Sequence, residues 1–316
     1  MSAAPHLPTT FVHQFEDRSL FGSAGTAVTL AFGPDSRLLA LGGPRSAIEL
    51  WDAHAARQLA ALTGHKPSKL QGNVFSLAFS PDGQLLASGG HDKTVRLWRV
   101  SSGECINVLT GFAGSVRRLA FHPVTRTLAA ADADSVRLFD LDSGADLPVP
   151  LPEGGINDLA FSPDGSVLTV APGGTAPRGA HPMALIDPAG GQTTRTVEGD
   201  EFPARSLAFS PDGRLLAVVQ WSGARVQLWD TASWQLTRTL RVPSIYSANQ
   251  VAFSSQGALA AAVNERICLW DPATEAKPVL VKVPSMRTAR VETLAFSPDG
   301  QLLAVCRRGT AVRIYR

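Results

Sequence analysis

The chain has 316 residues, of which 44% are hydrophobic and 18% are charged. This composition is typical of a globular protein with a sizeable core and excludes an extended disordered chain. The 29 basic and 27 acidic residues leave a net charge of +2, so no overall field points to nucleic acid or to an anionic membrane.

The N-terminus and the cysteines indicate a cellular compartment. The first residues, MSAAPHLPTTFVHQFEDRSL, contain neither a basic leader nor an unbroken apolar stretch, and no later stretch has the roughly 18 apolar residues of a spanning helix. Cys105, Cys268 and Cys306 lack the close spacing of zinc and redox motifs. We therefore expect a soluble, cytoplasmic protein whose cysteines are reduced, small apolar residues in strands.

A phrase related to LAFSPDGQLLA recurs along the whole chain. Its phenylalanine returns at intervals of 40 to 48 residues, at Phe32, Phe79, Phe121, Phe161, Phe209, Phe253 and Phe296. In most units a Val/Arg/Leu run follows and ends in an aromatic residue, as in VRLWR and VQLWD. A period of this length predicts a repeat architecture, with units that start near residues 26, 73, 115, 155, 204, 248 and 290.

Each unit is predicted to contain four short strands. LAFS and LLA form the first two, and the Pro-Asp-Gly between them supplies a tight hairpin turn with a left-handed glycine. The VRLW run is the third strand, and segments such as 104–109 and 235–240 are the fourth. We also assign the Ala-rich segment 53–62 to a fourth strand and its approach, because it lies between a Trp-Asp and a Gly-His.

The period, the turn and the Trp-Asp ending together resemble the WD-repeat family over essentially the full length of the chain. The resemblance implies an all-β fold, a seven-bladed β-propeller of four-stranded antiparallel blades, as a single domain over residues 1–316. The seventh unit stops after its third strand. We expect the strand-like segment 9–16 to complete that blade and close the ring, because an unpaired edge strand invites aggregation.

In WD-repeat proteins a histidine joins a buried hydrogen-bond network with Ser or Thr, Asp and the Trp. The second unit alone matches this pattern, with His65, Ser88, Asp92 and Trp98 as its structural network. In the other units the Ser/Thr position is apolar, so we expect most blades to depend on apolar packing. The remaining histidines are expected at the surface.

The sequence contains no recognisable catalytic motif. G-x-S-x-G, G-x-x-x-x-G-K-[ST] and HExxH are all absent, and the histidines form no paired arrangement. Most carboxylates fall in turns, where a structural role is sufficient. We therefore predict a protein that is not an enzyme and has no catalytic residue, cofactor or metal site.

The resemblance also implies a docking face, on which the first strand of each blade begins and the loop between the second and third strands emerges. Arginine with aromatic residues is typical of binding hot spots, although solvated loop charges are an equally good interpretation. The Gly/Pro-rich insert 171–182 is either decoration or a binding element. The candidate partner-binding residues are Phe75, His91, Arg117, Asn157, Arg178, Arg205, Trp221, Asn249, Arg290, Glu292, Arg307 and Arg308.

Three hypotheses about function follow. The first is a non-enzymatic, monomeric scaffold that binds an acidic peptide or protein partner on the arginine-bearing face. Nucleic acid is disfavoured as a partner because lysines and aromatics do not interleave, and no membrane contact is expected. The second is an enzyme or a small-molecule or metal binder that uses the central channel, which convergent His, Asp or Glu side chains at the channel mouth would favour. The third is a sensor module that works beside a signalling domain.

Overall fold

The computed structural model describes residues 7–15, 29–43, 46–66, 74–151, 155–173, 181–199, 202–221, 223–242, 248–283, 290–307 and 312–316. These residues form seven antiparallel sheets of four strands each, and no helix occurs among them. No helix in this part of the chain is therefore long and apolar enough to cross a membrane. The predicted all-β, seven-bladed propeller is confirmed.

The blades are numbered 1 to 7 in chain order, and the four strands of each blade pair in sequence order. Blades 1 to 3 consist of β2 (Thr29–Phe32), β3 (Leu38–Gly42), β4 (Ala47–Asp52) and β5 (Arg57–Thr63); β6 (Val74–Phe79), β7 (Leu85–Gly90), β8 (Val95–Arg99) and β9 (Glu104–Leu109); and β10 (Arg118–Phe121), β11 (Thr127–Ala131), β12 (Val136–Asp140) and β13 (Asp146–Val149).

Blades 4 to 6 repeat this plan. They consist of β14 (Ile156–Phe161), β15 (Leu168–Pro172), β16 (Met183–Ile186) and β17 (Thr193–Val197); β18 (Ala204–Phe209), β19 (Leu215–Gln220), β20 (Arg225–Asp230) and β21 (Gln235–Arg241); and β22 (Gln250–Phe253), β23 (Leu259–Val263), β24 (Arg266–Trp270) and β25 (Val279–Lys282). The first strand of each blade contacts the first strands of both neighbouring blades, which places these strands around the axis of a closed ring.

Blade 7 is assembled from both ends of the chain. It contains β26 (Val291–Phe296), β27 (Leu303–Arg307) and β28 (Val312–Tyr315), and its fourth strand is β1 (Phe11–Phe15). β1 runs antiparallel to β28, and the backbone N–H of Arg316 donates to the carbonyl of Thr10 at 2.7 Å. The predicted closure by the N-terminal strand is confirmed, and β1 covers the edge of β28.

The core lies between the blades. Alternate residues of one strand face opposite neighbours: Leu86 and Trp98 pack against blade 1, whereas Ala87 and Leu97 pack against blade 3. The same arrangement is found at each contact between consecutive blades, including that between blades 7 and 1. Because both faces of a blade are apolar, a blade is stable only between two others.

The recurring Ser-Pro-Asp-Gly turns have an internal hydrogen-bond system. The Ser80 hydroxyl donates to the Asp82 carboxylate and accepts from the backbone N–H of Leu85 at 2.9 Å. Asp82 also accepts from the backbone of Gln84. Gly83 has a φ of 68°, a conformation that glycine adopts at little cost. The serine before each Pro-Asp-Gly is therefore a structural residue of the turn.

Candidate functional site

The upper face is defined here as the edge of the ring formed by the starts of the first strands and the loops between second and third strands. Arg178 and Arg308 lie outside the described residues, and only the backbone of Arg307 is described. The predicted partner-binding residues with described side chains on this face are Phe75, His91, Arg117, Asn157, Arg205, Trp221, Asn249, Arg290 and Glu292.

A β-bulge explains how several of these side chains reach the upper face. Between Ala204 and Ser206 the register advances by two residues on β18 but by one on β19, so Arg205 has no partner residue on the second strand. A bulge turns the extra side chain out of the regular alternation of the sheet. The same irregularity occurs in three other blades, at Phe75, Asn157 and Glu292.

The first aromatic cluster joins blades 2 and 3. The Arg117 guanidinium carbon lies 5.1 Å from the centre of the Phe75 ring, and the His91 ring lies 6.4 Å from that of Phe75. Both His91 and Arg117 are exposed. A cation over an aromatic face gains about 0.5–1 kcal/mol at an exposed site, which restricts the guanidinium while leaving its donors accessible.

The second aromatic cluster belongs to blade 5. The Arg205 guanidinium carbon lies 4.6 Å from the centre of the Trp221 ring, and Trp221 is 52% exposed. Arg205 itself is half-buried. Burial lowers the pKa of Arg205, the charges of Arg290 and Arg118 lower it further, and only Glu292 opposes them. The cation is thus held in a partly dehydrated position among other cations.

Two predicted partner-binding amides bond to the neighbouring blade. Asn157 donates from Nδ2 to the carbonyl of Ala204 at 2.8 Å, and Asn249 donates from Nδ2 to the carbonyl of Val291 at 2.7 Å. Each side chain therefore ties the start of its own first strand to the start of the next one. These bonds could not be predicted from the sequence, because the partners are 47 and 42 residues away.

In several blades, the side chain one position after the bulge position accepts a hydrogen bond from the backbone of the next blade. The backbone N–H of Leu119 donates to the Ser76 hydroxyl at 3.0 Å, and that of Leu294 donates to Gln250 Oε1 at 3.0 Å. These side chains satisfy backbone donors on the inner edge of the next blade, which has no further strand to pair with.

Blades 3 and 4 replace this bond with an ion pair. Arg118 cannot accept a hydrogen bond, and its Nε lies 3.0 Å from Oδ1 of Asp158. The second carboxylate oxygen of Asp158 accepts from the backbone N–H of Leu207 in blade 5 at 2.8 Å. Burial raises the pKa of Asp158, while the Arg118 charge and this N–H oppose the rise. The pair thus links three consecutive blades.

The predicted structural residues of blade 2 form a continuous hydrogen-bond network. His65 lies 2.7 Å from the Ser88 hydroxyl through Nε2 and 3.0 Å from Asp92 through Nδ1. Trp98 Nε1 donates to the same Ser88 hydroxyl at 2.8 Å. Asp92 also accepts from the backbone of Lys66 and from Thr94. Burial opposes ionisation of Asp92, but the bond from His65 and these other donors hold its pKa below the usual range.

Other blades use polar side chains that the sequence analysis did not find. Trp51 donates to Glu49 at 2.8 Å and Trp229 donates to Gln227 at 3.3 Å, in each case within the third strand. Glu49 and Gln227 are both buried. Blades 1 and 5 are thus exceptions to the apolar packing that the sequence predicts for most blades. The pattern x-[EQ]-L-W in these strands carried the signal, because residues two apart share a face of a strand.

Two histidines expected at the surface are buried, so that prediction was wrong for them. His122 is 8% exposed, its Nε2 lies 2.9 Å from the Gly165 carbonyl of the next blade, and its Nδ1 accepts from the backbone of Thr125. His181 is 7% exposed. His122 stands where most turns have serine, and like Ser80 it accepts a hydrogen bond from the backbone of its own turn.

The described residues do not bring together three His, Cys, Asp or Glu side chains that could hold a metal ion. The three cysteines are free. Burial raises the pKa of Cys268 and of Cys306 to about 12, so both remain thiols. Charges from other blades act on the pKa of Arg205: Arg118 of blade 3, which pairs with Asp158, and Arg290 and Glu292 of blade 7.

Comparisons with known proteins identify a matching family model and relatives of similar sequence. Residues 26–316 match the family model described as the IFT122 first beta-propeller. The chain is 35% identical to WD repeat-containing protein VIP3 of Arabidopsis thaliana over 22% of its own length and 26% of that protein. It is 29% identical to an uncharacterized WD repeat-containing protein, sll1491, of Synechocystis over 46% of the chain and 40% of that protein.

A third relative is WD repeat-containing protein 90 of Homo sapiens, which is 30% identical over 42% of the chain and 8% of that protein. The chain thus spans less than half the length of each of these three relatives.

Proposed function

The chain belongs to the WD-repeat β-propeller family, whose members typically bind other proteins, and from this premise we propose a non-enzymatic scaffold that binds an acidic peptide or protein partner on its upper face. One observation carries the proposal: two arginines on the upper face, Arg117 and Arg205, each rest on an aromatic ring. We also place this protein in the cytoplasm, where its free cysteines would stay reduced.

Aromatic support prepares an arginine for a partner. An unsupported arginine loses rotamer freedom when it binds, and that ordering costs about 0.5–1.5 kcal/mol for each side chain. Arg205 on Trp221 and Arg117 on Phe75 have already lost part of this freedom. Arginine and tryptophan are also enriched among the residues that dominate interface energies. The two clusters are therefore the best candidates for hot spots on this surface.

The charge of the upper face favours an acidic partner. Arg117, Arg205 and Arg290 lie on it, with Glu292 as the opposing carboxylate among the candidate residues that the structure describes. A guanidinium matches a carboxylate through two parallel hydrogen bonds, which adds geometric specificity to the attraction. A protein with a net charge of only +2 thus presents a locally basic docking surface.

The framework beneath these side chains is rigid. Asn157 and Asn249 bond to neighbouring blades beside the bulges, and the Arg118–Asp158 pair holds the inner strands together. A site on such a framework stays close to its binding geometry, so a partner should dock with little movement of the backbone.

Site-specific photocrosslinking tests the proposal. Trp221 on the upper face and Val124 on the opposite side of the ring, in the turn between β10 and β11, are each replaced by benzoylphenylalanine. Both positions are well exposed, at 52% and 75%. Irradiation in native cells should link the variant at 221, but not the matched control at 124, to a protein whose linked peptide is rich in Asp and Glu.

Charge reversal at Arg117 should abolish that crosslink, while circular dichroism shows an unchanged fold. Equal crosslinking from both positions would contradict the choice of face. A linked peptide without acidic residues would contradict the acidic partner.

A further inference from the structure

We propose that the mouth of the ring contains a seat for a single carboxylate, centred on Arg205, which receives one Asp or Glu side chain of the partner. The seat consists of Arg118, Asp158, Arg205, Arg290 and Glu292. The inference rests on the proposed function, because it specifies how an acidic partner is anchored, and it is tested below by an experiment that can fail independently.

The first argument is the position of Arg205. The β-bulge turns its side chain out of β18, and the exposed Trp221 ring covers one face of its guanidinium at 4.6 Å. Within the part of the chain that the structure describes, the guanidinium has neither a hydrogen-bond acceptor nor an ion-pair partner in contact with it. Its planar fork of donors is therefore oriented and unused, which is the condition for bidentate binding of a carboxylate.

The second argument is that charges converge from separate blades. Arg205 belongs to blade 5, Arg118 to blade 3, and Arg290 and Glu292 to the start of blade 7. No two of these blades are neighbours in the ring, yet all three charges act on the pKa of Arg205. Side chains from non-adjacent blades interact in this way only across the axis of the ring. The seat is thus axial.

The third argument fixes the charge of the occupant. Arg118 is neutralised by Asp158 at 3.0 Å. Arg205 is half-buried, and among the described residues Glu292 is the carboxylate that acts on its charge. The Arg205 guanidinium is thus a partly buried cation with no carboxylate in contact among the described residues, and such a charge is costly unless it is paired. A single carboxylate balances it, whereas a phosphate dianion would leave an excess negative charge beside Glu292.

The fourth argument concerns the neighbouring donors. Asn157 donates from Nδ2 to the carbonyl of Ala204, and Asp158 accepts from the backbone N–H of Leu207 while it pairs with Arg118. These groups therefore fix the walls of the seat, and Arg205 is the group left to bind. Arg117 lies on Phe75 at the exposed rim of the upper face and belongs to the wider docking surface.

The test uses the full chain and three blocked pentapeptides of glycine with a central glutamate, glutamine or phosphoserine. Binding is followed by NMR through the Nε–Hε signal of Arg205, identified by its absence in Arg205→Lys. The glutamate peptide should shift this signal in a saturable way, and the glutamine peptide should leave it unchanged. Arg205→Lys should weaken binding of the glutamate peptide roughly ten- to hundredfold, because charge-assisted bidentate bonds are lost.

Arg214→Gln is the matched control. Arg214 is an arginine of the same blade whose side chain is 83% exposed in the turn between β18 and β19, at the opposite edge of the ring. This variant should bind the glutamate peptide as the wild type does. Equal weakening by both substitutions, an equal response to glutamine, or tighter binding of the phosphoserine peptide would each overturn the seat.

The two proposals fail in different ways. If Arg205→Lys retains the crosslinked partner with unchanged affinity, the seat is wrong and the scaffold on the upper face stands. If the glutamate peptide shifts Arg205 as expected but position 221 captures no acidic protein, the seat stands as an anion site and the proposed scaffold function is wrong.

Discussion

The upper ends of blades 2 and 5 use the same positions of the repeat for different purposes. In blade 2, His65 packs over Gly90, Asp92 fixes the next turn, and both belong to the Ser88–Trp98 network. In blade 5 the residue that corresponds to Gly90 is Gln220, and the next residue is the exposed Trp221.

A side chain at the Gly90 position would meet the His65 ring at 2.6 Å. Glycine there makes room for the histidine, whereas blade 5 has the larger, buried Gln220 at the corresponding position. The His65–Asp92 bond therefore holds the upper loop of blade 2, whereas in blade 5 the residue after Gln220 is the exposed Trp221, on whose ring Arg205 lies. The comparison teaches that a repeat can present an aromatic ring beneath an arginine on the upper face with or without the network, since Phe75 of blade 2 and Trp221 of blade 5 both do so.

Substitution of His65 in blade 2 and of Gln220 in blade 5 should give the largest difference in the free energy of unfolding between the two blades. His65→Leu leaves Asp92 and Ser88 without their buried partner, and should lower the free energy of unfolding by about 3 kcal/mol. Gln220→Leu removes a buried Oε1 that has no partner among the described residues, and should be neutral or slightly stabilising. Urea denaturation of both variants measures the difference, and equal losses would refute the distinction between the blades.

Loss of the tryptophan Nε1 hydrogen bond should cause a smaller difference in stability between the two blades. Trp98→Phe removes the donor to Ser88 at 2.8 Å and should cost about 2 kcal/mol. Trp229→Phe removes a bond of 3.3 Å to Gln227 and should cost about 1 kcal/mol. Thermal unfolding with calorimetry compares them. A larger loss for Trp229→Phe would show that the Gln227 bond is the stronger one.

The pH dependence of the free energy of unfolding should show the contribution of the Asp92 carboxylate. Its folded-state pKa is lowered, so its contribution to stability is fully present above the unfolded value near 3.9 and is lost as pH falls through the folded value. The free energy of unfolding of Asp92→Asn should therefore decrease less than that of the wild type as the pH falls below about 4. After solvent screening, we expect this difference to reach up to about 1 kcal/mol. Denaturation curves between pH 2 and pH 6 test this, with Asp142→Asn as an exposed control. Parallel curves for wild type and Asp92→Asn would exclude the effect.

The smallest effect on folding is expected at the binding surface that we propose on blade 5. Trp221 is 52% exposed, so Trp221→Leu should change the free energy of unfolding by less than about 0.5 kcal/mol. The same substitution should weaken partner binding, because Arg205 loses its aromatic support. A melting temperature several degrees below that of the wild type would instead make Trp221 a structural residue.

Local patterns were enough to predict the blades. The Ser-Pro-Asp-Gly phrase, the Val/Arg/Leu runs and their spacing place each strand, because turn chemistry and alternation act over a few residues. Closure by β1 was also predictable, since a blade with three strands leaves an edge to be paired. The four residues His65, Ser88, Asp92 and Trp98 were selected together through the resemblance and lie in hydrogen-bond contact.

The sequence could not show how the upper face is built. A β-bulge depends on the register of two strands, so the unpaired position of Arg205 is invisible in β18 alone. Asn157 was predicted as a partner-binding residue, but its bond to Ala204 exists only because blade 5 stands beside blade 4. His122 was predicted at the surface, and its burial depends on the Gly165 carbonyl of the following blade.

The sequence by itself therefore determined the repeat, the turns, the strands and the closure of the ring, because each depends on chemistry within a blade or on the need to pair an edge. The tertiary structure decided which charges act on one another: Arg118 of blade 3 and Glu292 of blade 7 both act on the pKa of Arg205 in blade 5, and no two of these blades are neighbours. Coulombic interactions depend on distance in space and not along the chain, so only the assembled ring brings these residues together.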